Sequence, residues 1–252
     1  MHYESGGYYN DENLVVPEFV SARLDQIISS FAAYRSVNKL LDIGCGAGSL
    51  LFAAKRAAWD AEGVELSLPT AQHLKNRGLK VFAGELAAAA FPPACFDVVT
   101  AAELIEHVAD PASLVAEVAR ILRPGGLFWA TTPHSNGASG RVLKVNWSII
   151  SPPEHLHLFS ASGLTTLLSQ HGFRKIRVKT EGLSFSELAG AFRREQHTAG
   201  TTSNAAHARV SSDYQFNEKL LKNPRGRMLK NSANALLRAS RLGDFLKVHA
   251  ER

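Results

Sequence analysis

The chain has 252 residues, 45% of them hydrophobic and 20% charged, with a formal net charge of +5. That supplies a substantial core for one large domain or a domain with a cap. No apolar run is long enough to span a bilayer, Met1 to Gly7 lacks the basic head and apolar stretch of a signal peptide, and two cysteines make no disulfide framework, so a cytoplasmic protein is expected.

Residues 17–34 carry Phe19, Val20, Leu24, Ile27, Ile28 and Phe31 at helical spacing, with Pro17 suited to a first turn. A strand follows over 39–43, a helix over Ser49–Ala58 and a second strand over 61–65. Ser67 reads as an N-cap, with Pro69 in the first turn of a helix that reaches Arg77 and stops at Gly78. Strands are predicted at 79–83, Phe96–Thr100 and Leu127–Thr132. A helix over Pro111–Leu122 precedes the last of these and breaks at Pro124-Gly125-Gly126. Ser160 or Ser162 caps a helix to His171, and Phe173–Thr180 alternates as a sixth strand. Strands separated by helices of this length imply parallel βαβ units with helices on both faces, a doubly wound α/β fold.

Beyond Glu181 the pattern changes. Residues 183–200 read as helical, with Phe185, Leu188, Ala189 and Phe192 on one side. Residues 198–212 are small, polar and aperiodic and read as a mobile loop. A second helical stretch over 214–241 breaks near Asn223–Gly226, and Phe245–Ala250 reads as a final edge strand. The expected organisation is a core at 1–182 with an N-terminal helical segment, a helical cap insertion at 183–243, and 244–252 returning to the core as that edge strand.

The most informative stretch is Leu40-Leu41-Asp42-Ile43-Gly44-Cys45-Gly46-Ala47-Gly48. An apolar run ending in three alternating glycines is a buried strand turning sharply into a helix, where backbone can press against a ligand. Glu65 lies about twenty positions on, at the tip of the second strand, placed to accept hydrogen bonds from a ribose diol. The pair reads as a pocket for an adenosine-bearing cofactor. A dinucleotide site has the spacing Gly-x-Gly-x-x-Gly. Here the third glycine comes one position early, Ser49 holds the expected place, and no Tyr-x-x-x-Lys pair is present, which disfavours a nicotinamide oxidoreductase.

The pattern Asp-x-Gly-x-Gly-x-Gly at 42–48 resembles motif I of the class I S-adenosylmethionine-dependent methyltransferases. Val64-Glu65-Leu66-Ser67, Ala83-Gly84-Glu85-Leu86, Phe96-Asp97-Val98-Val99 with Glu103-Leu104-Ile105-Glu106-His107, and Leu122-Arg123-Pro124-Gly125-Gly126 resemble the later motifs, in order. The resemblance covers roughly residues 8–180. Ser151 to Ser160 is similar to a stretch of bacterial methyltransferases of the type 12 or type 23 sort. The resemblance implies a seven-stranded, mostly parallel sheet whose last two strands pair antiparallel. It implies S-adenosyl-L-methionine held by Gly44, Gly46, Gly48, Glu65, Leu66, Glu85, Leu86 and the start of Glu103. Asp42 orients the turn, and Tyr8 or Tyr9 folds over the cofactor or packs on the surface.

Glu103, Glu106 and His107 fall at i, i+3 and i+4, which on a helical turn is one face. With His157 or His155 they make a first shell for a divalent cation, a set that resembles the Glu-x-x-Glu-His site of some diol O-methyltransferases. Three readings stay open: a metal on Glu103, Glu106, His107 and His157; a base or positioning role for His107, His155 or His157; and purely structural histidines.

Residues 1–170 carry 12 Lys+Arg and 16 Asp+Glu, residues 171–252 carry 16 and 7, so the positive charge lies outside the cofactor motifs. An acidic acceptor or an anionic membrane surface fits that asymmetry, as do solvated helix faces. No aromatic-basic platform points to nucleic acid. The expected activity is O-methylation of a small-molecule or glycan-like acceptor. N-methylation of a small amine and a non-catalytic cofactor-binding subunit are the alternatives. Oligomeric state is not legible.

Overall fold

The structure is a computed structural model, and it describes residues 18–183 and 241–252 together with scattered helical positions among residues 188–240. Its elements run α1 (Glu18–Ser30), β1 (Lys39–Ile43), α2 (Ser49–Arg56), β2 (Asp60–Glu65), α3 (Leu68–Asn76), β3 (Lys80–Ala83), β4 (Phe96–Ala102), α4 (Pro111–Ile121), β5 (Leu122–Pro133), α5 (Ala138–Leu143), α6 (Ala161–Gln170), β6 (Arg174–Glu181) and β7 (Phe245–Glu251). Helix starts follow local capping chemistry. Asp110 accepts from the amides of Ala112 and Ser113, each at 3.1 Å, ahead of α4, and Ser67 accepts from Thr70 ahead of α3.

Seven strands form one sheet in the order β3-β2-β1-β4-β5-β7-β6. β1 to β5 pair in parallel, and β7 runs antiparallel to both neighbours. The central strands are buried on both faces, hence their near-continuous apolar sequences. One face packs on α4 and α6 through Val115, Val118, Leu164 and Leu168. The other packs on α1 and α2 through Ile28, Phe31, Leu50 and Trp129, with the Phe31 and Trp129 rings edge-on at 6.0 Å. Burying a side chain the size of Phe31 is worth about 1.5–3 kcal/mol.

At the amino end of the sheet, Asp97 accepts from the amides of Ser36, Val37 and Lys39 and from Arg123 Nε. Burial works to raise its carboxyl, but Arg123 and those amides outweigh it and hold it below the usual carboxylate range. The strand order reverses between β1 and β4, and the crevice at their carboxyl ends is where open α/β sheets take ligands.

Three expectations change. β7 is not an edge strand but lies between β5 and β6. Its Leu246, Val248 and Ala250 are fully buried, whereas β6 exposes Arg174, Lys175, Arg177 and Lys179, charges that suit an unpaired edge. β5 begins at Leu122 rather than Leu127, because Gly125 and Gly126 exchange backbone bonds with Arg252. A short helix, α5, adds an element where none is predicted. The cap predicted over 183–243 falls almost wholly outside the described residues, as do Tyr8 and Tyr9. Among the described residues, no helix is long and apolar enough to cross a membrane.

Candidate active site

β1 delivers the chain into the crevice at Ile43, and the next turn is built on left-handed backbone: φ is +67° at Gly44, +48° at Gly46 and +75° at Gly48. A Cβ at Gly44 would stand 2.8 Å from Leu104 Cδ1, so the turn also needs a bare backbone for its close approach to the β4 loop. Gly44 and Cys45 amides both donate to the Val64 carbonyl, at 2.8 and 3.1 Å. Asp42, just behind the turn, is buried and accepts from the Thr100 hydroxyl at 2.7 Å. Burial pushes its carboxyl up to about 7, with the Glu65 charge adding and Thr100 opposing.

Glu65 sits at the carboxyl end of β2 and braces this turn. One carboxylate oxygen accepts from the Gly46 amide and the other from the Ser67 amide, each at 2.9 Å. From sequence, Glu65 is predicted only to meet a ribose diol. Each carboxylate oxygen carries a second lone pair, so bracing the turn and meeting a diol are compatible. Leu66 beside it is 47% exposed, an uncovered apolar surface next to polar acceptors. Glu85 is exposed after β3 and Leu86 is buried beneath it. Left-handed glycines, a carboxylate with a spare lone pair on each oxygen and an apolar shelf on the strand tips fit an adenosine-bearing cofactor.

The β4 loop departs from the expected helical face. Glu103 has φ +49°, a left-handed conformation that is strained for a side chain with a Cβ, and its amide donates to Thr131. The helical turn begins only at Ile105, so Glu103 does not share it with Glu106 and His107. Instead, Glu106, His107 and His155 come together, with their ligating atoms all within 4.8 Å of one another. Glu103 and His157, both expected in this set, are not part of it. The His157 ring lies 6.0 Å from that of Phe159, while the amides of Leu156 and His157 both donate to the Glu106 carbonyl.

His155 arrives on residues 134–159, an excursion from the carboxyl end of β5 closed at its base by the His134–Phe159 bridge. Its ring packs 4.6 Å from that of His107. His107 Nδ1 bonds the Glu154 carbonyl at 2.7 Å, and His155 Nδ1 bonds the Ile149 carbonyl. A carbonyl only accepts, so in the neutral rings each Nδ1 carries the proton and each Nε2 the lone pair. Burial lowers the His107 pKa, favouring that neutral form. Glu106 is buried: one oxygen accepts from Thr132 at 2.8 Å, and the other has no hydrogen-bond partner. Burial pushes its carboxyl up to about 7. The surrounding protein, then the Glu106 charge, raise the carboxyl of Glu103, whose side chain stays open to water.

Two lone-pair imidazoles and an orphaned carboxylate oxygen suit either a substrate proton or a divalent cation. Thr100 and Thr132, which hold the two buried acids, are predicted only as ends of strands and not as site residues. Their position near the carboxyl ends of predicted strands was the available signal.

A family model described as "Methyltransferase domain" matches residues 17–178. The chain belongs to that methyltransferase family. A ubiquinone biosynthesis O-methyltransferase of Methylococcus capsulatus is 44% identical over 101 residues, covering 37% of this chain and 43% of the relative. One from Thiobacillus denitrificans is 34% identical over 172 residues, covering 64% of this chain and 74% of the relative. For the first two relatives matched, the chain spans 43% and 56% of their length, about half. The fold is shared with a SAM-dependent methyltransferase of Archaeoglobus fulgidus, at TM-score 0.59 and 19% identity over 93% of this chain and 94% of that one. It is also shared with Haemonchus contortus phosphoethanolamine N-methyltransferase 2, solved with S-adenosyl-L-methionine, at TM-score 0.60 and 19% identity over 96% of this chain and 55% of that one.

Proposed function

We propose that this methyltransferase-family chain transfers a methyl group from S-adenosylmethionine to a hydroxyl oxygen of a small-molecule acceptor. The observation that carries this reading is the Glu106, His107 and His155 group beside the glycine turn of the same crevice. Relatives named as O-methyltransferases support oxygen as the acceptor atom. The bound cofactor supplies a methyl group already activated on a sulfonium. The chain's work is then to orient, to exclude water and to take one proton.

Gly44, Gly46 and Gly48 present bare backbone to the cofactor, Glu65 meets its ribose, and Leu66 with Leu86 flanks its adenine near Glu85. Asp42 sits behind the methionyl end, with Glu103 at its edge. The excursion at 134–159 closes the acceptor side and brings His155 onto His107. The Nε2 lone pair of His155 accepts the hydroxyl proton as the oxygen attacks. His107 and Glu106 hold that ring and spread the resulting charge.

A second reading rests on the same cluster. Glu106, His107 and His155 are three convergent donors, and a divalent cation on them would lower the pKa of a bound hydroxyl and orient a diol. The test is methyl transfer from labelled S-adenosylmethionine to a panel of catechols, simple alcohols and amines, with and without a chelator. Labelled ether product is the expected outcome. Exclusive labelling of amines overturns oxygen as the acceptor atom, and chelator-insensitive turnover removes the cation.

A further inference from the structure

We propose that Asp244 is a positioning residue for this transfer. It caps α5 from a distant strand and thereby sets the His155 ring against His107; the catalytic part of the claim rests on the function proposed above. Asp244 enters β7 from outside the excursion and is fully buried. Ser139 meets both of its carboxylate oxygens: the Ser139 amide donates to Oδ1 at 2.9 Å and the Ser139 hydroxyl to Oδ2 at 2.5 Å. A buried carboxylate is costly unless donors satisfy it, so this pair is a strong local constraint.

The constraint replaces a missing local one. The N-cap of α5 is Gly137, which has no side chain to cap with. A Cβ there would stand 2.8 Å from Asp244 Oδ1, so the glycine is what admits the distant carboxylate. A helix of six residues is unstable on its own and depends on such tertiary support. The joint is reinforced by backbone. His134 N donates to the Asp244 carbonyl at 2.7 Å, and Ala138 N to the Leu242 carbonyl at 2.9 Å.

From α5 the contacts run unbroken to the site. A Cβ at Gly140 would lie 3.2 Å from the Trp147 ring, so the helix and the fully buried Trp147 are in close contact. Ile150 N donates to the Trp147 carbonyl at 2.9 Å. The neighbouring Ile149 carbonyl holds His155 Nδ1, and His155 lies against His107. Releasing Asp244 loosens α5, then Trp147, then the ring that faces the acceptor. The glycine turn and Glu65 take no part in this path.

The test compares the wild type with Asp244→Ala and Asp244→Asn in the full chain. Asn keeps the geometry: its carbonyl accepts from the Ser139 amide and its NH2 donates to the Ser139 hydroxyl. Asp244→Ala is expected to leave the S-adenosylmethionine Kd unchanged by calorimetry. It should speed amide exchange over 138–150, expose Trp147 to acrylamide quenching and shift the His155 imidazole resonances. With catechol as acceptor, kcat/KM should fall about tenfold, which corresponds to about 1.4 kcal/mol. Asp244→Asn should restore most of each.

Unchanged exchange, quenching and His155 resonances in Asp244→Ala overturn the proposal. So does a loss of cofactor affinity in step with turnover, which is what a merely structural role produces. A wild type that methylates nothing refutes the proposed function alone, and the His155 resonances still decide Asp244. Should Asp244→Ala not fold, Ser139→Ala removes one leg of the clamp. It must then show a smaller shift of the same resonances, and no shift overturns the proposal.

Discussion

Replacing Glu65 by Ala separates two roles that the structure joins in one carboxylate. The carboxylate accepts from the Gly46 and Ser67 amides at 2.9 Å each, bonds made within the chain itself. Hydrogen bonds to a charged group are worth about 1.5–3 kcal/mol apiece. Glu65 is 8% exposed, so water rescues part of the loss. The expected destabilisation of the cofactor-free protein is therefore about 2–4 kcal/mol rather than the full sum. Affinity for S-adenosylmethionine should fall by a further ~1–3 kcal/mol as the ribose loses its acceptor.

Glu65→Gln sharpens the test. Its amide oxygen can satisfy one backbone N–H, but its NH2 then faces the other, donor against donor. Its stability should lie close to that of the Ala variant, while its amide still offers a polar group to the ribose and retains part of the cofactor affinity. Urea unfolding without cofactor reads the first quantity and calorimetry the second. A cofactor-free Glu65→Ala protein with the wild-type urea midpoint and slope would refute the bracing role. Reduced stability with undiminished cofactor affinity would refute the ribose role.

Other consequences concern protons and the histidine pair. The Asp42 carboxyl is raised from 3.8 to about 7 in the folded chain. Its contribution to stability is thus fully present below the unfolded value and is lost as pH rises through the folded one. Asp42→Asn, which can still accept from Thr100, should gain on the wild type as urea midpoints are followed from about pH 4 to about pH 8, and a flat difference contradicts the raised carboxyl. Asp97 has the opposite sign: its depressed carboxyl stabilises above the ordinary carboxylate value and ceases to do so as pH falls through the folded value. Asp97→Asn should cost about 3 kcal/mol at neutral pH by urea unfolding, because Arg123 and three amides lose a charged acceptor, and the loss should shrink in acid. His155→Ala should lower turnover of an active acceptor by about 10²-fold or more while calorimetry finds cofactor affinity intact; wild-type turnover in that variant removes His155 from the chemistry.

Local chemistry made much of the molecule legible in advance. Ser67 with Pro69 marks a helix start because its capping bond spans only three residues. The Gly44–Gly48 turn is equally local: alternating glycines after a buried strand have few other uses. Glu65 was readable as a site residue because the strand–helix–strand unit fixes its distance from that turn. Its bracing of Gly46 was not readable, since a sequence does not say which amides a carboxylate meets.

What required the tertiary structure were pairings across long stretches of chain. β7 was read as an edge strand because chain order suggests it, but burial of Leu246, Val248 and Ala250 puts it inside the sheet and leaves the lysines of β6 at the rim. The helical spacing of Glu103, Glu106 and His107 promised one shared face, and the left-handed backbone at Glu103 breaks it. His155 rather than His157 meets His107 because the amides of Leu156 and His157 are spent on the Glu106 carbonyl while the Ile149 carbonyl holds the His155 ring. Periodicity reports which face a residue shares with its neighbours along one element. Only packing decides which two elements meet, and the histidine pair exists at such a meeting.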